Sequence, residues 1–161
     1  IGGTMEKITF KRYENSDFFD SKFLRVLAKD KDISERINLI NGDKYIIRKD
    51  RENIGIFIVN PVCYDLNAVS ISIGILKNYR GQGIGTKALE IFTEKMLENE
   101  CINKVYLEIK ADNEISLNIA NKLGFEIDNS IHEIFIEEGY NYIPYEKSKI
   151  QYMKGMEKQY V

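Results

Sequence analysis

The run Asn78-Tyr79-Arg80-Gly81-Gln82-Gly83-Ile84-Gly85-Thr86 lies between an apolar run, residues 69–76, and a helix-like run, residues 87–98. Alternating glycines that end a strand and open a helix let backbone N–H groups converge on an anion. The helix dipole adds attraction for phosphate. The sequence therefore predicts a phosphate-bearing ligand at residues 81–86. The plain alternative is a loop that only turns the chain, for which three glycines ahead of a helix are more than a turn needs.

Two familiar phosphate motifs fit poorly. A Walker loop requires a Gly-Lys-Ser/Thr ending five residues after its first glycine. Thr86 and Ala88 stand five after Gly81 and Gly83. The segment Gly83-Ile84-Gly85-Thr86-Lys87-Ala88 does match the Gly-x-Gly-x-x-Ala dinucleotide fingerprint, with Glu108 near its acidic position. That fold runs its strand almost into the first glycine, whereas Lys77 to Arg80 intervene here. It also needs further βα units, and only one helix is predicted after Lys110. A nicotinamide-dinucleotide binder is therefore the weakest reading.

Arg80-x-x-Gly83-x-Gly85 resembles the acyl-CoA loop of the GNAT superfamily of N-acetyltransferases, Arg/Gln-x-x-Gly-x-Gly/Ala. The resemblance runs on through "SISIGILKNYRGQGIGTKALEIF" and "NEISLNIANKLGFE", so it covers roughly residues 66–126. The stretch "SLNIANKLGF" looks somewhat like the branch that acetylates protein N-termini, such as ribosomal-protein alanine acetyltransferases. The resemblance implies an α+β fold: a mixed, mostly antiparallel seven-strand sheet with about four helices, split between the fourth and fifth strands. It implies acetyl-CoA as cosubstrate and a primary amine, of a small molecule or a protein N-terminus, as acceptor.

Composition sets the bounds. The 161 residues suit one domain, read as residues 5–161, and Ile1-Gly2-Gly3-Thr4 ahead of Met5 reads as a vector-derived remnant. A net charge of −2, from 23 basic and 25 acidic residues, argues against a dedicated nucleic-acid or membrane-surface protein. No apolar run approaches the ~20 residues of a membrane span. Cys63 and Cys101 are too few for a disulfide framework, and His132 is the single histidine, so no zinc spacing exists. These features predict a cytoplasmic protein without a metal; a late hairpin that could pair between subunits leaves monomer and homodimer equally open.

Residues 7–13 alternate as a first strand. Ser16-Asp17 caps a helix through Leu27, and a second helix is predicted over residues 33–40. Strands follow at 44–49, 54–60 and 68–76, with a turn at 50–53 and Pro61 as a stop. A helix over 86–99 carries the apolar stripe Ala88, Ile91, Phe92 and Met96. A strand over 104–110 and a helix over 115–123 follow, the helix ended by Gly124. Residues 125–128 and 131–136 read as strand, and 140–154 contains the last strand. His132 would then lie on a late hairpin in a structural role. Tyr140, Tyr142 and Tyr145 fit either a pocket rim or ordinary strand preference.

For acetyl-CoA, the resemblance implies that Gly81, Gln82, Gly83, Ile84, Gly85 and Thr86 hold the pyrophosphate, with Arg80 beside them. Asn113 would bond the pantetheine chain or cap a helix. Lys122 would reach a phosphate or stay solvated, and the Ile73 and Ile75 backbones would pair with pantetheine. Two common catalytic positions are altered: Ala120 stands where many members carry a tyrosine acid, and Ser70 where some carry a glutamate base. Ser70 and Glu108 are the catalytic candidates, with Tyr64, Asp65 and Tyr106 as further groups by location. These departures keep open a CoA-binding sensor or interaction module without turnover.

Overall fold

The computed structural model describes residues 7–159. The expected remnant at residues 1–4 lies outside them. The chain runs β1 Ile8–Arg12, α1 Phe18–Lys29, α2 Lys31–Arg36, β2 Asp43–Lys49, β3 Glu52–Val62, β4 Asp65–Ile75, α3 Ile84–Glu98, β5 Lys104–Lys110, α4 Glu114–Lys122, β6 Glu126–Ile127, α5 Asn129–Glu137, β7 Tyr142–Ser148 and α6 Lys149–Gln159. A single 3-10 turn, Lys77–Tyr79, precedes α3. The sheet order is β1-β2-β3-β4-β5-β7-β6. β4 and β5 are parallel, whereas β1–β2, β2–β3, β5–β7 and β6–β7 are antiparallel. This is the α+β, seven-strand, mostly antiparallel architecture the sequence predicts, with six helices rather than about four. The β4–β5 ladder joins Ala68–Ser70 to Lys104–Tyr106, while β4 runs on to Ile75 and β5 to Lys110. The split therefore begins after Ser70.

Contacts gather into two compact units, Ile1–Asn60 with Ser72–Leu89, and Pro61–Ile71 with Glu90–Val161. In the first, Phe23 and Leu27 of α1 and Ile33 of α2 pack with Ile37, Ile46, Ile56 and Ile58. Asp17 starts α1 by accepting from the Phe19 and Asp20 N–H groups at 2.8 and 3.1 Å. The buried Asp20 is satisfied by Lys11 Nζ at 2.5 Å and the Glu14 N–H at 3.0 Å. Gly55 and Gly74 let the backbone approach closely, since a Cβ on Gly55 would lie 2.3 Å from the Gly74 carbonyl. A Cβ on Gly74 would press on Ile37 and Ile33 at 3.0 and 3.1 Å. Tight packing thus accounts for Gly74. In the second unit, Val62, Ala68 and Tyr106 form a core flanked by Tyr64.

Several boundaries differ from expectation. α2 begins at Lys31, because Asp30 caps it by accepting from the Ile33 N–H at 3.2 Å, and it ends at Arg36. β3 continues through Pro61 to Val62. The buried side of α3 is Ala88, Leu89, Phe92, Thr93 and Leu97, so Ile91 and Met96 lie at its margin. Residues 129–137 form α5 rather than a strand. Asp128 caps it by accepting from the Ile131 N–H at 3.3 Å, and Ile131, Ile134 and Phe135 follow a helical spacing. His132 consequently sits on a helix, and no β6–β7 hairpin forms by direct connection. The last strand ends at Ser148, where a capping box takes over. Ser148 Oγ accepts from the Gln151 N–H at 3.1 Å, and Gln151 Oε1 accepts from the Ser148 N–H at 2.9 Å.

Candidate active site

Helix starts leave unbonded N–H groups, and side-chain oxygens normally satisfy some of them. Asp17, Asp30, Asn113, Asp128 and Ser148 do this for α1, α2, α4, α5 and α6. α3 is different. Its first backbone bond runs from the Lys87 N–H to the Gly83 carbonyl at 3.2 Å, which makes Gly83 the cap residue. Glycine has no side chain to accept. Among the described residues, the backbone N–H groups of residues 81–86 make no hydrogen bond within the protein. Gly81 and Gly83 hold φ at 75° and 76°, the left-handed region that side chains resist, and open space surrounds both. Gly85, by contrast, packs its backbone against Ile75, 3.5 Å from where a Cβ would stand. Gln82 turns its amide onto the Asn78 carbonyl at 3.1 Å. Ile84 is buried, and Thr86 is half-buried. The result is a helix start with no side-chain cap and N–H groups left without a partner among the described residues, which fits a pyrophosphate.

Arg80 makes its bonds within the protein. Its Nε donates to the Ile75 carbonyl at 2.9 Å, and its guanidinium donates to Asp30 at 2.7 Å. Asp32 lies 3.5 Å from the same group. Asp30 also accepts from the Lys77 N–H at 3.3 Å. Burial opposes ionisation of Asp30. Arg80 and the backbone N–H groups of Ile33 and Lys77 outweigh that and hold its carboxyl below the usual range. Arg80 therefore braces the loop against the start of α2. Ile75 has its carbonyl committed to Arg80, while Ile73 is half-buried on β4.

In the second unit, Asn113 Oδ1 accepts from the Ser116 N–H at 3.2 Å as the cap of α4, one of its two expected roles. Gly124 follows that helix at φ 83°, as expected of a left-handed stop. Lys122 is exposed. Ala120 is fully buried, so no proton donor stands at that position. Ser70 pairs with Tyr106 in the β4–β5 ladder and is half-buried.

Glu108 occupies the face of β5 that carries Tyr106, opposite Pro144 of β7. It is half-buried and, among the described residues, makes neither a hydrogen bond nor an ion pair. Burial pushes its carboxyl above the ordinary value. Nearby Tyr64 has a fully buried hydroxyl with no hydrogen-bond partner among the described residues. Burial, then the charge of Glu108, drives that hydroxyl well above the usual tyrosine range, so it stays protonated. Tyr106 donates to Asp128 at 2.8 Å and lies 3.3 Å from Glu146, which pairs with Lys104 at 3.5 Å. Burial opposes ionisation of Asp128, but bonds from Tyr106, Glu146, Ser130 and the Ile131 N–H hold it at about 2. Burial and the bond to Asp128 raise Glu146, against the pull of Lys104. α5 brings Phe135 and Asp128 to this face. The strand expected over residues 131–136 hides this cluster, whereas the Asp128 cap and the 131, 134, 135 spacing are the helix's signal.

A family model described as an acetyltransferase (GNAT) domain matches residues 10–126. The chain belongs to the GNAT acetyltransferase family. An N-alpha-acetyltransferase of Sulfurisphaera tokodaii is 39% identical over 56 residues, 35% of this chain and 34% of that protein. A spermidine N(1)-acetyltransferase of Escherichia coli is 26% identical over 98 residues, 60% of this chain and 53% of that protein. The chain thus spans about a third and about half of these relatives. Spermidine N-acetyltransferase from Vibrio cholerae, solved in complex with CoA and spermine, has the same fold. Its TM-score is 0.68 at 12% identity, covering 91% of this GNAT chain and 98% of that one. Among the described residues, no helix is long and apolar enough to cross a membrane.

Proposed function

We propose that residues 5–161 form one acyl-CoA N-acyltransferase domain that moves an acetyl group from acetyl-CoA to a primary amine. The observation that carries this reading is the uncapped start of α3, with free N–H groups over residues 81–86. Family membership and the CoA bound by the Vibrio cholerae neighbour support it. Backbone N–H groups of Gln82 to Thr86 bind the pyrophosphate, and Arg80 keeps the loop in shape. The backbones of Ile73 and Ile75 are further contacts of the reading.

When bound, acetyl-CoA supplies the thioester carbonyl that the amine attacks and the thiolate that leaves. An alkyl amine has pKa ~10.4, so on the order of one in a thousand molecules is neutral at pH 7. Glu108 removes the ammonium proton, and burial raises its affinity for protons. No tyrosine acid is needed at Ala120, because a free thiol of pKa ~8.5 leaves as thiolate. Ser70 has no proton-accepting partner among the described residues and ranks behind Glu108.

The test is acetyl-CoA consumption with a panel of amines, followed as free thiol. Turnover with any amine supports the reading. CoA binding without turnover across small amines, polyamines and peptide N-termini would favour a non-catalytic CoA-binding module, the reading that buried Ala120 keeps alive.

A further inference from the structure

A cavity of about 370 Å³ opens in the first unit, with Tyr13, Leu24, Ala28, Leu39 and Ile40 as its apolar walls. Tyr13, Leu24 and Leu39 also pack on the buried core of α1, α2, β2 and β3, which fixes these walls in place. Ile40 keeps 85% of its surface in water. It is held there by a turn in which Asn38 Oδ1 accepts from the Ile40 N–H at 2.9 Å. An exposed isoleucine alone means little, but here it extends an apolar surface that already lines a cavity.

The charges of the lining are all positive: Arg25 and Lys44 contribute, and no carboxylate does. Among the described residues, Arg25 makes neither a hydrogen bond nor an ion pair. Lys44 Nζ stands 5.6 Å from the Tyr13 ring centroid and donates to the Ile40 and Gly42 carbonyls at 3.2 and 3.4 Å. Those neutral partners position the ammonium and leave its charge unbalanced. Asp43, next to Lys44 in β2, pairs instead with Arg12 at 3.7 Å. The cavity is also remote from the glycine loop. Tyr79 of that loop bonds to Glu52, which pairs with Lys49 in the β2–β3 ladder. Lys44 lies five residues back along β2, about 17 Å away at strand spacing.

We propose that this cavity is a second binding site, separate from the phosphate loop, for a free aliphatic carboxylate. The chain lies on Leu24, Ala28, Leu39 and Ile40, and the carboxylate pairs with Arg25 and Lys44. Arginine presents paired N–H groups that match a carboxylate, and the Asn15 amide is a further donor in the lining. The cavity is at the small end of ligand pockets, which suits a chain of about six to eight carbons. A neutral alcohol of the same length would leave both cations unbalanced, and an alkylammonium would be repelled by them. Because the site is remote from the glycine loop, the carboxylate and CoA should bind together.

The test is an amide NMR titration of the 15N-labelled protein with sodium n-hexanoate, and in parallel with n-hexanol, n-hexylammonium and acetate. Hexanoate should bind about tenfold tighter than each of the other three, with shifts at Leu24, Arg25, Ala28, Leu39 and Ile40. Arg25→Gln should weaken it about three- to fivefold, and Arg25→Gln with Lys44→Gln at least tenfold, while Arg25→Lys keeps most of the affinity. Ile40→Ser alters a side chain in water, so it should fold normally and still weaken hexanoate several-fold; this guards against a double variant that loses its fold. Saturating CoA should change hexanoate affinity by less than about twofold. Equal binding of n-hexanol or n-hexylammonium would overturn the proposal, as would affinity that survives the double substitution. Competition with CoA, or hexanoate shifts confined to Gln82–Thr86, would place the anion on the glycine loop and also overturn it. Tenfold tighter binding of acetyl-Leu-Leu with a free C-terminal carboxylate would assign the cavity to a protein C-terminus instead of a free carboxylate.

Discussion

Arg80 is paired with Asp30 beside the glycine loop, and a double-mutant cycle measures what that pair contributes. The pair is charge-assisted at 2.7 Å, with Asp30 about nine-tenths buried and Arg80 one-third exposed, at 10% and 33% side-chain accessibility. Hydrogen bonds to charged groups contribute about 1.5–3 kcal/mol, while exposed pairs give about 0–1, so this intermediate pair is worth about 2 kcal/mol. Arg80→Ala should therefore lower Tm by about 4–8 °C in a chain of this size. The depressed carboxyl of Asp30 fixes the sign of the pH dependence. Its stabilisation is present above the unfolded value of ~3.9 and is lost as pH falls through the lower folded value. The gap between wild type and Arg80→Ala should close over that range in urea titrations. CoA affinity separates a brace from a direct ligand. Asp30→Asn leaves the arginine charge but loosens its anchor, so a brace predicts weaker CoA binding. A coupling energy below about 0.3 kcal/mol, within ordinary additivity, or unchanged or tighter CoA binding in Asp30→Asn, would refute the brace.

Gly83→Ala forces a side chain into the left-handed region at φ 76°. It should cost about 1 kcal/mol in chemical denaturation and weaken CoA roughly tenfold. Glu108→Gln should lower kcat by about a hundredfold and remove the acidic limb of the kcat/KM profile. The raised carboxyl of Glu108 favours the fold below the unfolded value, and that advantage is lost as pH rises through the folded value. Glu108→Gln should therefore have the higher Tm at neutral pH, and scanning calorimetry against pH checks this. Tyr106→Phe leaves Asp128 and Glu146 without their hydroxyl donor at 2.8 and 3.3 Å, and should cost about 1–2 kcal/mol in urea.

The loop and the strands were legible because their signals are local. Gly81, Gly83 and Gly85 announce the turn into α3 by spacing alone, and Gly124 announces a helix stop. Residues 131–136 were not legible, because a short run rich in isoleucine and phenylalanine satisfies strand propensity and helical spacing together. Its cap, Asp128, decides the matter only once its bond to Ile131 is seen. α6 carries little apolar pattern, and the Ser148–Gln151 box marking its start is easily passed over. Arg80 shows a different limit: its partner Asp30 lies 50 residues earlier, and no spacing rule connects them. Glu108 could be placed on its strand, but its lack of a partner depends on everything folded around it.

The central claim is that the N–H groups of residues 81–86 are kept free for the phosphates of CoA. The direct measurement is an amide NMR titration of the 15N-labelled protein with CoA, and with NAD in parallel. The account predicts large shifts at Gln82 to Thr86 with CoA and none of comparable size with NAD. CoA binding that leaves those amides unmoved, or no CoA binding at millimolar concentration, would contradict it.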